Sequence, residues 1–203
     1  MAGVSRIAIV AGHGGSNRGT RVLGRDESNW VLDYARLLHR RCEAMWRDPL
    51  FQLTRDGDYD LGLDGTAKKA ADFGAQLAIV LHVNAYSTSA LHGGAAFALD
   101  GDACGRSCGN EVMHSYPWEL APMRELAWYV PSDAHDWRKA VANVLRPYAR
   151  RGISATLIEL FYATHPYDVA VAACEGVIDR TQLAVMAGLA TVLWPARTAS
   201  VVA

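Results

Sequence analysis

The chain has no surplus of charge of either sign: 20 lysines and arginines stand against 21 aspartates and glutamates, a formal net charge of -1. A nucleic-acid-binding module would carry a clear basic excess, so nucleic acid is not an expected partner. Cysteine is scarce. Cys42, Cys104, Cys108 and Cys174 are the whole set, too few and too scattered for a disulfide framework. Cys104 and Cys108 lie close enough in sequence for one local bridge, but free thiols are the expected state. Long hydrophobic runs are also missing. The longest, over 183–195, falls short of the ~20 residues a spanning helix needs. It reads as a core helix, and no membrane insertion is expected. The N-terminal apolar stretch lacks a basic leader and runs straight into His13, which suggests a first strand rather than a secretory signal.

The remaining composition is that of an ordinary globular chain, with 51% hydrophobic and 20% charged residues. A length of 203 residues suits one domain with a full core. There is no internal repeat or low-complexity linker. Apolar strands are expected over 5–11, 50–54, 76–83, 94–99 and 155–160. Helices are expected over 26–45, 66–74, 133–150 and 175–193. The segment 100–132 reads as an elaborated loop with a short helix, expected to flank a functional groove. Strands alternating with helices give an α/β fold: a single domain with a mostly parallel twisted sheet and helices on both faces. The domain is expected to fill 1–195, with a loose tail over 196–203.

Four polar residues fall where such a fold places its site. His13, His82 and Glu159 lie at or near the carboxyl ends of apolar strands, where open α/β sheets bind ligands. Glu27 opens a helix whose inward face is Val31, Tyr34, Ala35, Leu38, Cys42 and Met45, and helical spacing puts Glu27 on that face. An inward carboxylate is costly unless paired, hydrogen-bonded or bound to metal. Each residue has an ordinary alternative: a dipole-favoured helix-start acid for Glu27, a satisfied core histidine for His82, a loop histidine for His13. Together, two histidines and one carboxylate make a ligand set typical of catalytic zinc. Glu159, inside an apolar strand, is either a general base or half of a salt bridge with Arg150 or Arg151. Asn84 suits substrate binding or turn capping, and His165 a site mouth or a surface loop. Tyr116, Trp118, Trp128 and Tyr129 read as local core or as a sugar-stacking surface.

The order of these motifs resembles the N-acetylmuramoyl-L-alanine amidases of the Amidase_3 type. Ile9 to Gly15 resembles the opening strand with its AGHGG signature, and Gly24 to Glu27 the GxxE that follows. Leu53 to Asp56 resembles LTRD, Leu81 to Ala85 the IHANA signature, and Leu157 to Phe161 the LVELGF strand. The resemblance spans nearly the whole chain. It implies one Zn2+ per chain held by His13, Glu27 and His82, with Glu159 catalytic. It also implies peptidoglycan as substrate, cut at the amide between N-acetylmuramic acid and L-alanine. An endolysin of a phage or prophage would be made in the host cytoplasm and reach the wall after membrane breach. The chain departs from the family at Thr66, where an arginine is usual, and at Ala71, where an asparagine is usual. It also departs at Phe161-Tyr162, often Gly-Phe, and at His165, often Asn. Two rivals stay open: a zinc carboxypeptidase or small-amide deacylase using Arg18, Arg21 or Arg55, and an inactive peptidoglycan-binding module.

Overall fold

The computed structural model describes residues 3–86, 91–120, 128–131, 133 and 138–194. Four strands run parallel: β1 (Arg6–Ala11), β4 (Leu50–Leu53), β5 (Leu77–Asn84) and β8 (Ser154–Tyr162). β6 (Ala95–Leu99) is antiparallel to β8, and β7 (Trp128–Val130) is parallel to β6. The sheet order is β4-β1-β5-β8-β6-β7, and a separate hairpin pairs β2 (Arg21–Val22) with β3 (Arg25–Asp26).

Both faces of the sheet are covered, because the central strands are apolar on both. Ile7, Ile9, Leu77, Ile79, Leu81, Ile158 and Leu160 face a core shared with α1 (Glu27–Met45), α3 (Ala103–His114) and α6 (Val177–Leu193). Ala8, Val10, Ala78, Val80, Ala155 and Leu157 face the opposite way, toward α2 (Gly62–Asp72) and α4 (Arg138–Ala149). The alternation carries His82 and Glu159 to the α2 and α4 side, since they continue the series Ala78–Val80 and Ala155–Leu157. The expected single α/β domain with a mostly parallel sheet is the observed architecture. The expected tail over 196–203 lies outside the described residues.

Several expectations are corrected. Met45 is not on the inward face of α1 but 62% exposed, one residue before the helix ends at its cap, Trp46. Of the segment 100–132, expected to flank a groove, residues 121–127 and 132 lie outside the described residues. Its first part is α3, a regular helix begun by Asp102, whose Oδ1 accepts from Gly105 N at 2.9 Å. Asp102 Oδ2 also accepts from Ala155 N, at the start of β8 and therefore at the end of the sheet away from Glu159. Glycines disguised this helix in the sequence, and packing explains them: a β-carbon on Gly105 would stand 2.5 Å from Ala155 O. Tyr116 is core, its hydroxyl donating to Leu160 O, whereas Trp118 is 80% exposed. The side chains of Trp128 and Tyr129 lie outside the described residues. α5 (Pro166–Ala172) was not expected, although proline at its first position is a helix-start signal. All four cysteines are free.

Candidate metal centre and active site

His13 ends β1 in a tight turn, with φ at 58°. A non-glycine residue in that region is a costly conformation that the surrounding structure must hold. Gly14 N donates to Asn17 O and Asn17 N returns a bond to Gly14 O, which closes the turn. The turn aims the Asn17 side chain back at the ring, where Oδ1 lies 2.9 Å from His13 Nδ1. An amide oxygen only accepts, so Nδ1 carries a proton, and Nε2 is the nitrogen that faces inward and could act as a ligand once it loses its own.

That nitrogen meets Glu27. His13 Nε2 and His82 Nδ1 each lie 3.2 Å from the same oxygen, Glu27 Oε1. Glu27 is 2% exposed. Its Oε1 also accepts from Val83 N and its Oε2 from Thr20 N, both at 3.0 Å. Burial alone would raise its pKa. The hydrogen bonds and charge of His13 and His82 overcome this and hold it well below the usual carboxylate range. Burial likewise opposes protonation of His13, but Glu27 and Asn17 outweigh it and raise its pKa. A fixed anion between two imidazoles, with the ligand atoms all within 4.8 Å of one another, is a donor set that could hold a shared cation.

The surrounding chain is cut to fit. A β-carbon on Gly12 would stand 2.3 Å from His82 Cε1, and one on Gly19 would stand 2.4 Å from Glu27 Oε2. Arg55 is buried beneath the turn. Its guanidinium donates to the carbonyls of Ala11, Gly12, Ser28 and Gly57, tying the end of β1 to the start of α1.

Glu159 is the register partner of His82 across β5 and β8. Its Oε2 is buried without a hydrogen-bond partner. Burial pushes the carboxyl up to about 7, against the pull of His82 and with help from the negative Glu27. The salt bridge with Arg150 or Arg151 is not what occupies it: Arg151 bonds Asp64 at 2.8 Å and Pro147 O at 2.9 Å. Beside His13 and His82 a cleft of about 210 Å³ opens between α2 and α4, lined by Asn17, Asp60, Leu63, Thr66, Val144 and Tyr148 among others.

The sequence profile of the N-acetylmuramoyl-L-alanine amidase family matches residues 7–191. The chain belongs to this family. Solved structures agree in fold. The catalytic domain of the amidase CwlV from Bacillus (Paenibacillus) polymyxa var. colistinus superposes with a TM-score of 0.73 at 19% identity. The match covers 92% of this chain and 96% of that one. An amidase from Clostridium difficile 630 gives 0.74 at 19% identity, covering 94% and 97%. The catalytic domain of the CD27L endolysin gives 0.67 at 15% identity, covering 92% and 97%. Comparison with curated protein sequences returns no match.

In the amidase, the four residues singled out from the sequence converge, and the two weaker candidates do not join them. Asn84 Oδ1 accepts from Ala85 N, the turn-capping arrangement. His165 is the N-cap of α5, its ring stacked on His92, and it is not among the residues lining the cleft. Sequence reasoning missed Asn17 and the scaffolding part of Arg55. The signal for Asn17 was available, an amide residue within the same glycine-rich turn as His13.

Proposed function

We propose that this amidase is zinc-dependent and hydrolyses the lactyl amide between N-acetylmuramic acid and L-alanine in peptidoglycan. The observation that carries the reading is the convergence of His13 and His82 on one oxygen of Glu27, with Glu159 alongside on the neighbouring strand. His13, Glu27 and His82 would hold the zinc, with Asn17 fixing the tautomer of His13. When bound, zinc acts as a Lewis acid toward the amide carbonyl and makes water a better nucleophile. Glu159 takes a proton from the attacking water and delivers it to the departing nitrogen of L-alanine. Burial raises the pKa of this carboxyl in the metal-free chain, the direction that suits a group which must both take and return a proton.

The carboxypeptidase reading is less well supported. It needs an arginine for the substrate carboxylate, yet Arg55 is spent on backbone carbonyls, and Arg18 and Arg21 both pair with Asp26 at 2.6 and 2.7 Å. The inactive-module reading has no missing chemical group in its favour. The endolysin role, with synthesis in the host cytoplasm and action on the wall after membrane breach, belongs to the same proposal. Co-expression with a membrane-permeabilising protein tests it by lysis of the host. The decisive experiment for the reaction is digestion of purified sacculi. Stem peptides with a new L-alanine N-terminus and intact glycan are expected, and release of C-terminal amino acids alone would refute the proposal.

A further inference from the structure

Among the described residues that line the cleft between α2 and α4, the polar side chains differ in what engages them. Asn17 Oδ1 faces His13 Nδ1, Asp60 Oδ1 accepts from Gly62 N at 2.7 Å, and Thr66 Oγ1 donates to Gly62 O at 2.7 Å. Tyr148 is 2% exposed and packed in the core beneath α4. A phenol at that depth normally finds a partner for its hydroxyl. This one hydrogen-bonds to none of the described residues, and its oxygen is not sealed in, so it opens on the cleft. Burial pushes its pKa up, so it stays a neutral donor at neutral pH. Its direction follows from the helix. Ile153 N donates to Tyr148 O at 3.1 Å, joining the end of α4 to the start of β8. α4 therefore runs back along β8, and side chains on a helix lean toward its N-terminus. The phenol is turned toward the end of the sheet where His13 and His82 line the same cleft.

Resting on the amidase reading above, we propose that the Tyr148 hydroxyl binds substrate, donating to the carbonyl oxygen of the acetamido group of N-acetylmuramic acid. No lysine or arginine is among the described residues lining the cleft, and Asp60 is there. A stem-peptide carboxylate would lose hydration without gaining a cation, so a neutral acceptor is favoured. A volume of about 210 Å³ admits a small group and not a disaccharide. An acetamido group has the matching halves: a methyl for Val80 and Val144, and a carbonyl oxygen for the phenol. It stands on the sugar carbon next to the one that bears the lactyl ether, so the substrate itself sets its reach from the scissile carbonyl. Tyr148 is then a specificity contact that reads the sugar side of the bond and moves no proton.

Two soluble substrates test this: N-acetylmuramoyl-L-alanyl-D-isoglutamine and its counterpart with a hydroxyl in place of the acetamido group. The wild type should cut the first with a kcat/KM roughly tenfold higher. Tyr148→Phe should raise KM for the first substrate about five- to tenfold, the worth of one neutral hydrogen bond, and leave KM for the second unchanged. Zinc content and the urea midpoint should not move, because the hydroxyl bonds to none of the described residues. Should Tyr148→Phe prove unstable, Val144→Phe, which narrows the cleft, decides by the same contrast between substrates. An unchanged KM in Tyr148→Phe, or an equal rise on both substrates, overturns the inference. A wild type that frees no L-alanine-ended peptide from either substrate or from sacculi would instead refute the amidase reading, so the two failures are told apart.

Discussion

The imidazole of His82 lies directly over Gly12, so close that a β-carbon there would stand 2.3 Å from Cε1 and 2.4 Å from Nε2. The backbone of the turn after β1 is thus the floor on which the His82 ring of β5 rests. Gly12→Ala should push the ring off Glu27. Zinc affinity is expected to fall at least tenfold while far-UV circular dichroism stays unchanged. An unchanged affinity would mean that His82 is not held against Gly12.

Asn17 would act on a metal at this site only through His13. Losing the partner that orients a ligating imidazole typically costs ~10–100-fold in metal affinity. Asn17→Ala should show a loss of that size in chelator competition. Asn17→Asp, which keeps an acceptor at Nδ1, should restore much of it.

The role of Glu159 separates from that of Glu27 by charge removal. Glu159→Gln should keep zinc and lower sacculus hydrolysis by ~10²–10⁴-fold, the usual cost of losing acid–base help. Glu27→Gln should lose the metal itself. Zinc content measured beside turnover in both variants checks this, and zinc loss in Glu159→Gln would make Glu159 a ligand.

The metal-free protein should carry a pH signature of Glu159. Its folded pKa of about 7 lies above the ordinary 4.5, so the folded state favours the protonated form. The resulting stability is fully present below pH 4.5 and lost as pH rises through about 7. Relative to Glu159→Gln, the metal-free wild type should lose up to roughly 3 kcal/mol across that window. Glu27, whose pKa is depressed, contributes stability that is lost only in strong acid, below the window. Urea unfolding of both proteins at pH 4.5 and 8 makes the comparison, and parallel behaviour of the two would exclude the effect.

Arg55 is a stability residue rather than a substrate contact. Its removal leaves buried carbonyls at Ala11, Gly12 and Ser28 without their charged donor. Hydrogen bonds to a charged group are worth ~1.5–3 kcal/mol each, and neighbours in one network do not add fully. Arg55→Met should destabilise by roughly 3 kcal/mol or more in chemical denaturation. An effect confined to KM would contradict the scaffolding role.

Much of this was legible because the pattern and the burial agree. A strand apolar on both faces announces a central position, so histidine or glutamate within it stands out, as His82 and Glu159 did. Glu27 was readable from its helical phase with Val31. Met45 was not, because the phase says nothing of where neighbouring elements end. α3 was legible only as a short helix of unstated place within 100–132, since Gly105 lowers helix propensity locally. Its benefit appears only against Ala155 O on a strand far along the chain. Asn84 and His165 were chosen by proximity in sequence to the site. Local backbone contacts, which a linear pattern does not reveal, claim both.

The strand order has a consequence for how the chain is made. The three proposed ligands all lie on segments that are complete once β5 has been synthesised, and β1 and β5 are neighbours in the sheet. The strand bearing Glu159 comes much later and is laid against the open edge of β5, with β6 on its other side. The metal pocket can therefore take shape on an unfinished chain, whereas the proton-transfer group arrives only when the sheet is closed. Of the four groups at the site, the one proposed to move the proton is therefore the last to be synthesised.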